Sequence, residues 1–253
     1  MNMLAHARNE LGLRLYLARR YWLESVSGFV LILGSFVGLL HAVMAAGEMS
    51  IHSERLNGLI LGFVLWMYAG TAYSSTSSEV AEEIRARSLE QLCMGPLPLW
   101  RILAIRAILH IAGGTLILLL SFTVIAWLGR EELHLLDPAV LGIVLLAAPS
   151  LLGFGYMVAG VLLVLRKMET LQLLVYPGLI ALIALPAYPL NGFAALPFAY
   201  GASAARFAVG GGALGALDFI VVASNSLGWL MLGIAVFKRF EREARRLGVM
   251  GHG

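Results

Sequence analysis

Charged residues divide this chain into six uncharged stretches, each long enough or nearly long enough to cross a bilayer. They cover residues 25–47, 56–78, 107–129, 138–165, 170–205 and 219–237. A helix that rises about 1.5 Å per residue needs roughly 20 apolar residues to cross ~30 Å of hydrocarbon. The pattern therefore predicts an all-α, polytopic membrane protein with six transmembrane helices.

The fifth stretch is too long for one helix and too short for two helices with a loop. Its second half holds the helix breakers Pro186, Pro189, Asn191, Gly192, Pro197 and Gly201. Non-helical backbone at membrane depth is stable only where it is buried in protein or faces water. We therefore predict a span over 170–190 and an outer hairpin, re-entrant or surface-lying, over 191–212. The last span is predicted from about Leu214 to Phe237.

Basic residues lie almost entirely on one side of the predicted spans. With a cytoplasmic N-terminus, the inside segments are residues 1–24, 79–106, 166–169 and 238–253, and they hold fifteen of the eighteen Lys and Arg residues. Short loops rich in Lys and Arg stay in the cytoplasm. The split predicts a multi-pass protein of the inner (plasma) membrane with both termini cytoplasmic, and we expect no cleavable signal peptide.

Composition agrees with one transmembrane domain over residues 1–253. Hydrophobic residues make up 60% of the chain and charged residues 13%, against roughly 25% charged in soluble domains. One cysteine and six histidines without metal-ligand spacing predict no metal site. No set of catalytic residues stands out either. The bilayer, rather than nucleic acid, is the expected surrounding of this chain.

The first 24 residues are cationic and aromatic before the first apolar stretch. They include Arg14, Tyr16, Arg19, Arg20, Tyr21 and Trp22. Such side chains suit an interfacial helix at the headgroup boundary. A plain anchor before the first span is the alternative.

The most informative cytoplasmic segment covers residues 79–93 and reads EVAEEIRARSLEQLC. Its apolar positions recur at helical spacing, and Glu83 and Arg87 stand four apart in the order that favours an ion pair. Thr76 and Glu79 have the spacing of a capping box, which predicts a helix that begins there. Four acids against two arginines favour a protein partner over anionic lipid. A solvated connecting helix is the alternative.

The end of this segment carries a motif, Ser88-Leu89-Glu90-Gln91-Leu92, followed by Pro96-Leu97-Pro98. With the six spans and the N-terminal helix, it resembles the permease subunits of type-2 ATP-binding-cassette (ABC) exporters. In that family an acidic cluster leads into a G-T-L-E-Q-L-like stretch and then a proline. Here Ala86-Arg87-Ser88 stands in place of the glycine-threonine lead.

The resemblance implies that residues 79–98 form a coupling helix that docks on a separate ATPase. The residues it assigns to this contact are Glu79, Glu82, Glu83, Arg85, Arg87, Leu89, Glu90, Gln91, Leu92 and Pro96. It also implies an outer gate in the hairpin, within a dimer formed with a second permease copy or a homologue. The chain has no G-x-x-x-x-G-K-[ST]. We therefore expect no cofactor and no enzyme activity in this chain, and ATP with magnesium on the partner ATPase.

Two charges flank the predicted outer turn, Arg206 in the hairpin and Asp218 near the outer end of the last span. An unpaired charge at membrane depth costs ~3 kcal/mol or more. An ion pair that pins the outer gate is therefore one interpretation. Two separate charges at the headgroups are the other.

The function that the resemblance implies is outward movement of an amphipathic or hydrophobic substrate by alternating access. The pattern over residues 88–99 is also similar to that of a haem-exporter-type permease of the same architecture. An ion-coupled carrier or an integral membrane enzyme is the alternative from another class. Such proteins place paired acids or histidines at mid-membrane, and residues 25–47, 56–78 and 138–165 contain no ionised side chain.

Overall fold

The computed structural model describes residues 3–45, 54–95, 97–127, 137–165 and 169–247. All regular secondary structure in these ranges is helical, which confirms the predicted all-α class. The helices are α1 (Met3–Arg20), α2 (Trp22–Ala45), α3 (Glu54–Arg85), α4 (Leu89–Cys93), α5 (Leu99–Trp127), α6 (Pro138–Leu165), α7 (Glu169–Ala184), α8 (Ala199–Val209) and α9 (Ala216–Arg246). A 3₁₀ turn, Gly192–Ala195, precedes α8.

Three helices in the described part of the chain are long and apolar enough to cross a membrane. They contain the segments Leu99–Val124 of α5, Pro138–Leu165 of α6 and Ala216–Arg246 of α9. The pair α1 and α2, which meet at 72°, is a fourth candidate if it counts as one span. The chain is thus a multi-pass membrane protein with three or four such helices, where six spans were predicted.

Two other predicted spans correspond to helices that are less apolar or shorter. Helix α3 has 32 residues and covers the uncharged residues 56–78, but its second half is rich in hydroxyl side chains. Helix α7 has 16 residues and ends before the predicted boundary at 190. Pro186 disfavours helical backbone at the residue before it, and so the helix ends at Ala184.

The chain forms two compact units, Met1–Leu61 and Gly62–Gly253. In the first unit the chain bends at Tyr21, between α1 and α2. The interfacial helix predicted over residues 1–24 therefore corresponds to α1 together with the first turn of α2. The side chains of Tyr16 and Trp22 are exposed, as expected for an aromatic anchor.

Helix α6 is the centre of the second unit. Within its apolar window 61% of the residues are buried, against 17% for α9. Helix α9 packs on it with the two backbones in contact, because a Cβ atom on Gly233 would lie 2.0 Å from the Gly153 carbonyl oxygen. Tyr156 and Phe237 continue this contact edge to face, with ring centroids 5.5 Å apart. Small residues permit such close approach of membrane helices.

Candidate functional site

The segment predicted as one coupling helix is two helices with a break between them. Helix α3 runs on through Arg85, the backbone at Arg87 is left-handed with φ of 55°, and α4 begins at Leu89. The prediction of a helix that begins at Thr76 is therefore wrong. The serines of this stretch lie within the helix, where their hydroxyls bond carbonyls three or four residues back, as Ser75 does to Ala72 at 2.6 Å.

A half-buried arginine on α5 holds the end of α3. Arg106 Nη1 lies 3.1 Å from Glu79 Oε2 and 2.7 Å from Glu83 Oε1. All three side chains are less than a fifth exposed. One cation shared by two acids in this setting ties α3 to α5 more firmly than an exposed pair would.

Ser88 extends this ionic cluster to the start of α4. Its hydroxyl donates to the Glu83 carboxylate, and its amide donates to the Glu83 carbonyl at 3.1 Å. The predicted pair of Glu83 with Arg87 is not formed, because Arg87 follows the helix break and is no longer one helical turn from Glu83. Helix α3, the turn and α5 are thus joined by one cluster, Arg106–Glu79–Glu83–Ser88.

The ten residues predicted to contact an ATPase divide by exposure. Exposed are Glu82, Arg85, Arg87, Glu90 and Gln91. Half-buried are Glu79, Glu83 and Leu92. Leu89 is buried in this chain and Pro96 lies outside the described residues. The outward surface of the α3–α4 junction is therefore made by the first group, which we call the junction surface, while Leu89 faces the protein's own interior.

The basic end of α9 packs beside this region. The Lys238 Nζ atom lies 4.2 Å from the centroid of the Trp100 ring, in the first turn of α5. Glu241 is buried, and its Oε1 accepts from Arg245 Nη2 at 2.8 Å. Burial raises the pKa of the Cys93 thiol on α4; the charge of Arg245 opposes this shift and that of Glu241 adds to it. Trp100 and Lys238 are far apart in the chain, so sequence spacing could not predict this contact.

Arg206 and Asp218 each have a partner other than one another. Arg206 Nη2 donates to the Leu185 carbonyl at 2.7 Å, just beyond α7. The Tyr200 hydroxyl donates to Asp218 Oδ1 at 2.6 Å, and the Gly215 amide donates to Asp218 Oδ2 at 2.8 Å. In the described part of the chain no ion pair joins them. Asp218 caps the start of α9, while Arg206 bonds the end of α7. The two side chains therefore stabilise different parts of the structure.

Two side chains of α9 that the sequence reading did not assign hold the 3₁₀ turn. Asn225 Nδ2 donates to the Ala194 carbonyl at 2.9 Å, and Trp229 Nε1 donates to the Ala195 carbonyl at 2.8 Å. They lie 9 and 13 residues from Ala216, about 14 and 20 Å along the helix. The turn therefore lies well along α9 from its start, and side chains of α9 satisfy these two carbonyls. The sequence signal for this contact was Asn225, an amide side chain within an otherwise apolar predicted span.

Within the described residues no three His, Cys, Asp or Glu side chains come together as a metal site would require. No protein-family model matches this chain, and no curated protein matches it either. A functional assignment therefore depends on the residues themselves.

Proposed function

We propose that this chain is the membrane-spanning subunit of an ATP-driven exporter of the type-2 ABC kind, with ATP hydrolysed by a separate chain. The observation that carries the proposal is the α3–α4 junction. The five side chains of its junction surface are charged or polar, and the cluster Arg106–Glu79–Glu83–Ser88 binds it to two long helices. A surface held this way can pass a push from a partner into the membrane.

The backbone at Arg87 supports the resemblance on which the proposal draws. In the similar family motif, glycine occupies the position of Arg87 when Leu89-Glu90-Gln91-Leu92 is aligned to it. Here that position has a positive φ, the conformation that glycine adopts at least cost. A left-handed turn before the short helix is therefore a position that favours glycine, which agrees with the glycine of the similar family motif.

The proposed topology has six spans and both termini in the cytoplasm. To the three long apolar helices it adds α2, α3 and α7, which cover three further uncharged stretches. The chain would work as a dimer with a second copy or a homologue, and its substrate would be amphipathic or hydrophobic, since the spans offer few charges. The fifteen-to-three split of basic residues supports this orientation.

The contacts supply a route from the junction surface to the hairpin. A push on Glu82 of α3 would move α3 and α5 together, because Arg106 joins these two helices. The first turn of α5 contacts α9 through Trp100 and Lys238. Helix α9 in turn holds the hairpin by two side-chain bonds. Closure of the ATPase pair would thus displace the hairpin through α9.

Purification of the tagged chain from its native membranes tests the proposal. An ATPase with a Walker-A sequence should co-elute with the wild type. Reversal of two exposed acids, Glu82→Lys with Glu90→Lys, should abolish co-elution without changing the melting temperature. Glu24→Lys, an exposed acid at the start of α2, is the matched control and should retain the partner. Absence of any such ATPase from the wild-type eluate, or its full retention by the double variant, would contradict the proposal.

A further inference from the structure

Two hydroxyl groups of α3 are buried without a hydrogen-bond partner. Among the described buried hydroxyls, those of Tyr73 and Thr76 lack a partner of hydrogen-bond geometry, although the two residues are at most 1% exposed. The Ser77 side chain lies close to the Tyr73 hydroxyl without completing such a bond. Their neighbours are satisfied: Ser75 bonds the Ala72 carbonyl, and Ser77 donates to the Tyr73 carbonyl at 3.3 Å. Buried polar groups are nearly always bonded, so these two require an explanation.

Both hydroxyl-bearing side chains lie where α3 meets α6 and α7. Thr76 abuts Gly155 of α6, since a Cβ atom there would come within 2.5 Å of Thr76 Oγ1. The Tyr73 ring contacts the Phe154 ring of α6, with ring centroids 5.9 Å apart. It stands edge-on to the Tyr176 ring of α7, with ring centroids 6.0 Å apart. We call this group of five residues the α3–α6–α7 seam.

Helix α7 covers the seam and is the least constrained of the three helices. It has 16 residues and contains Pro177, which removes one hydrogen bond of the helix ladder. Tyr176 is half-buried, and its carbonyl accepts from Trp66 Nε1 at 3.4 Å, a long bond. The other side of α7 is apolar and exposed, with Leu173 and Leu174 each about two thirds exposed. The lipid-facing side of α7 is therefore the apolar surface nearest to the seam.

The position and charge of the seam limit what it can bind. Tyr73 and Thr76 precede Glu79 by six and three residues, about 9 and 4.5 Å along α3. They lie close to the charged end of the helix, where the head of an amphiphile would be. No charged residue occurs over residues 56–78 or 138–165, so an ionised head would be left unpaired. A neutral oxygen, as in a hydroxyl or a carbonyl, suits the two hydroxyl groups.

We propose that Tyr73 and Thr76 form a hydrogen-bonding site for the neutral, oxygen-bearing head of an amphiphile whose tail lies against α7. The site depends on the proposed function in one respect: its ligand would be the exported substrate or a molecule of similar chemistry. The hydrogen bonds themselves need no ATPase. They can be measured on this chain alone.

Photolabelling of the purified chain in phosphatidylcholine nanodiscs tests the site. One probe is a monoacylglycerol with a diazirine in its acyl chain; the other is a diazirine alkane of equal length without oxygen. Tyr73→Phe and Thr76→Val each remove one hydroxyl at nearly constant volume. Each should reduce labelling by the monoacylglycerol about fivefold, the effect of one net hydrogen bond, and leave alkane labelling unchanged. Ser150→Ala removes a buried hydroxyl that bonds its own helix and should label like the wild type.

Both variants are expected to fold, because neither hydroxyl has a partner to lose. Their melting temperatures should equal or exceed that of the wild type. Unchanged monoacylglycerol labelling in both variants, or an equal fall with the alkane probe, would overturn the site. Loss of monoacylglycerol labelling alone would sustain it even if no ATPase co-elutes with the chain, a result that would contradict only the exporter function.

Discussion

Gly153 and Gly233 place the backbones of α6 and α9 in direct contact. A Cβ atom on either residue would lie 2.2 Å or less from a carbonyl oxygen of the other helix. On one side of this contact α9 holds the 3₁₀ turn through Trp229, and on the other side Lys238 contacts the first turn of α5. If α9 tilts against α6, the contact between Gly153 and Gly233 would therefore be the pivot.

Substitution of Gly233 tests this packing. Gly233→Ala should lower stability by about 1–3 kcal/mol, because the added methyl group meets backbone that cannot move aside. Gly228→Ala, on the same helix with nothing within 4 Å of the new methyl, should cause no loss. Thermal unfolding in detergent compares the two. Equal melting temperatures for both variants would show that the helices do not approach this closely.

Removal of the shared cation tests the cluster at the α3–α4 junction. Arg106→Gln removes a cation that contacts Glu79 and Glu83, which are only 17% and 16% exposed. It should destabilise the protein by about 2 kcal/mol. Addition of Glu83→Gln should recover part of that loss, since the pair is coupled. Arg239→Gln, at an exposed position, is the control. Additive losses in the double variant would show that Arg106 and Glu83 do not interact.

The left-handed backbone at Arg87 predicts an unusual effect of glycine. Arg87→Gly should raise the free energy of unfolding by up to about 1 kcal/mol, because a side chain with a Cβ is disfavoured at a φ of 55°. Arg87→Val should lower it. Glu82→Gly, inside regular α3, should lose about 1 kcal/mol. Denaturation of the four proteins in one detergent compares them, and a loss with Arg87→Gly would place this residue in ordinary helix.

The hold of α9 on the hairpin can be removed one bond at a time. Trp229→Phe should leave the Ala195 carbonyl unbonded and raise amide exchange across residues 193–196 by up to about tenfold, the effect of one lost bond. Asn225→Leu should act in the same way through Ala194. Ser224→Ala is the control, since its hydroxyl bonds only its own helix. Hydrogen–deuterium exchange read by mass spectrometry makes the comparison, and unchanged protection would exclude this latch.

The single cysteine reports on the inner contact between α4 and α9. Since burial raises the pKa of Cys93, less thiolate is present at pH 8 than in the unfolded chain, and alkylation by iodoacetamide should be slower. Arg245→Gln should slow it further and Glu241→Gln should speed it, because these charges oppose and add to the shift respectively. The opposite order for the two variants would mean that α9 does not end beside Cys93.

The linear pattern of charge, proline and glycine determined the properties that are local in the chain. Uncharged stretches of about 20 residues formed helices, because an apolar segment in a membrane must satisfy its backbone internally. Pro186 ended α7, and the 3₁₀ turn Gly192–Ala195 followed among the predicted breakers, although Gly201 lies inside α8. The distribution of Lys and Arg likewise predicts orientation without any fold, since it depends on which loops carry charge.

Tertiary structure alone decided which residues meet. Glu83 is one turn from Arg87 in an ideal helix, yet it pairs with Arg106 because α5 brings a second cation to it and α3 ends before Arg87. Arg206 and Asp218 flank one turn but face different helices. Sequence spacing describes neighbours on one helix, whereas these partners depend on the packing of several helices, because that packing decides which polar groups come within hydrogen-bond distance.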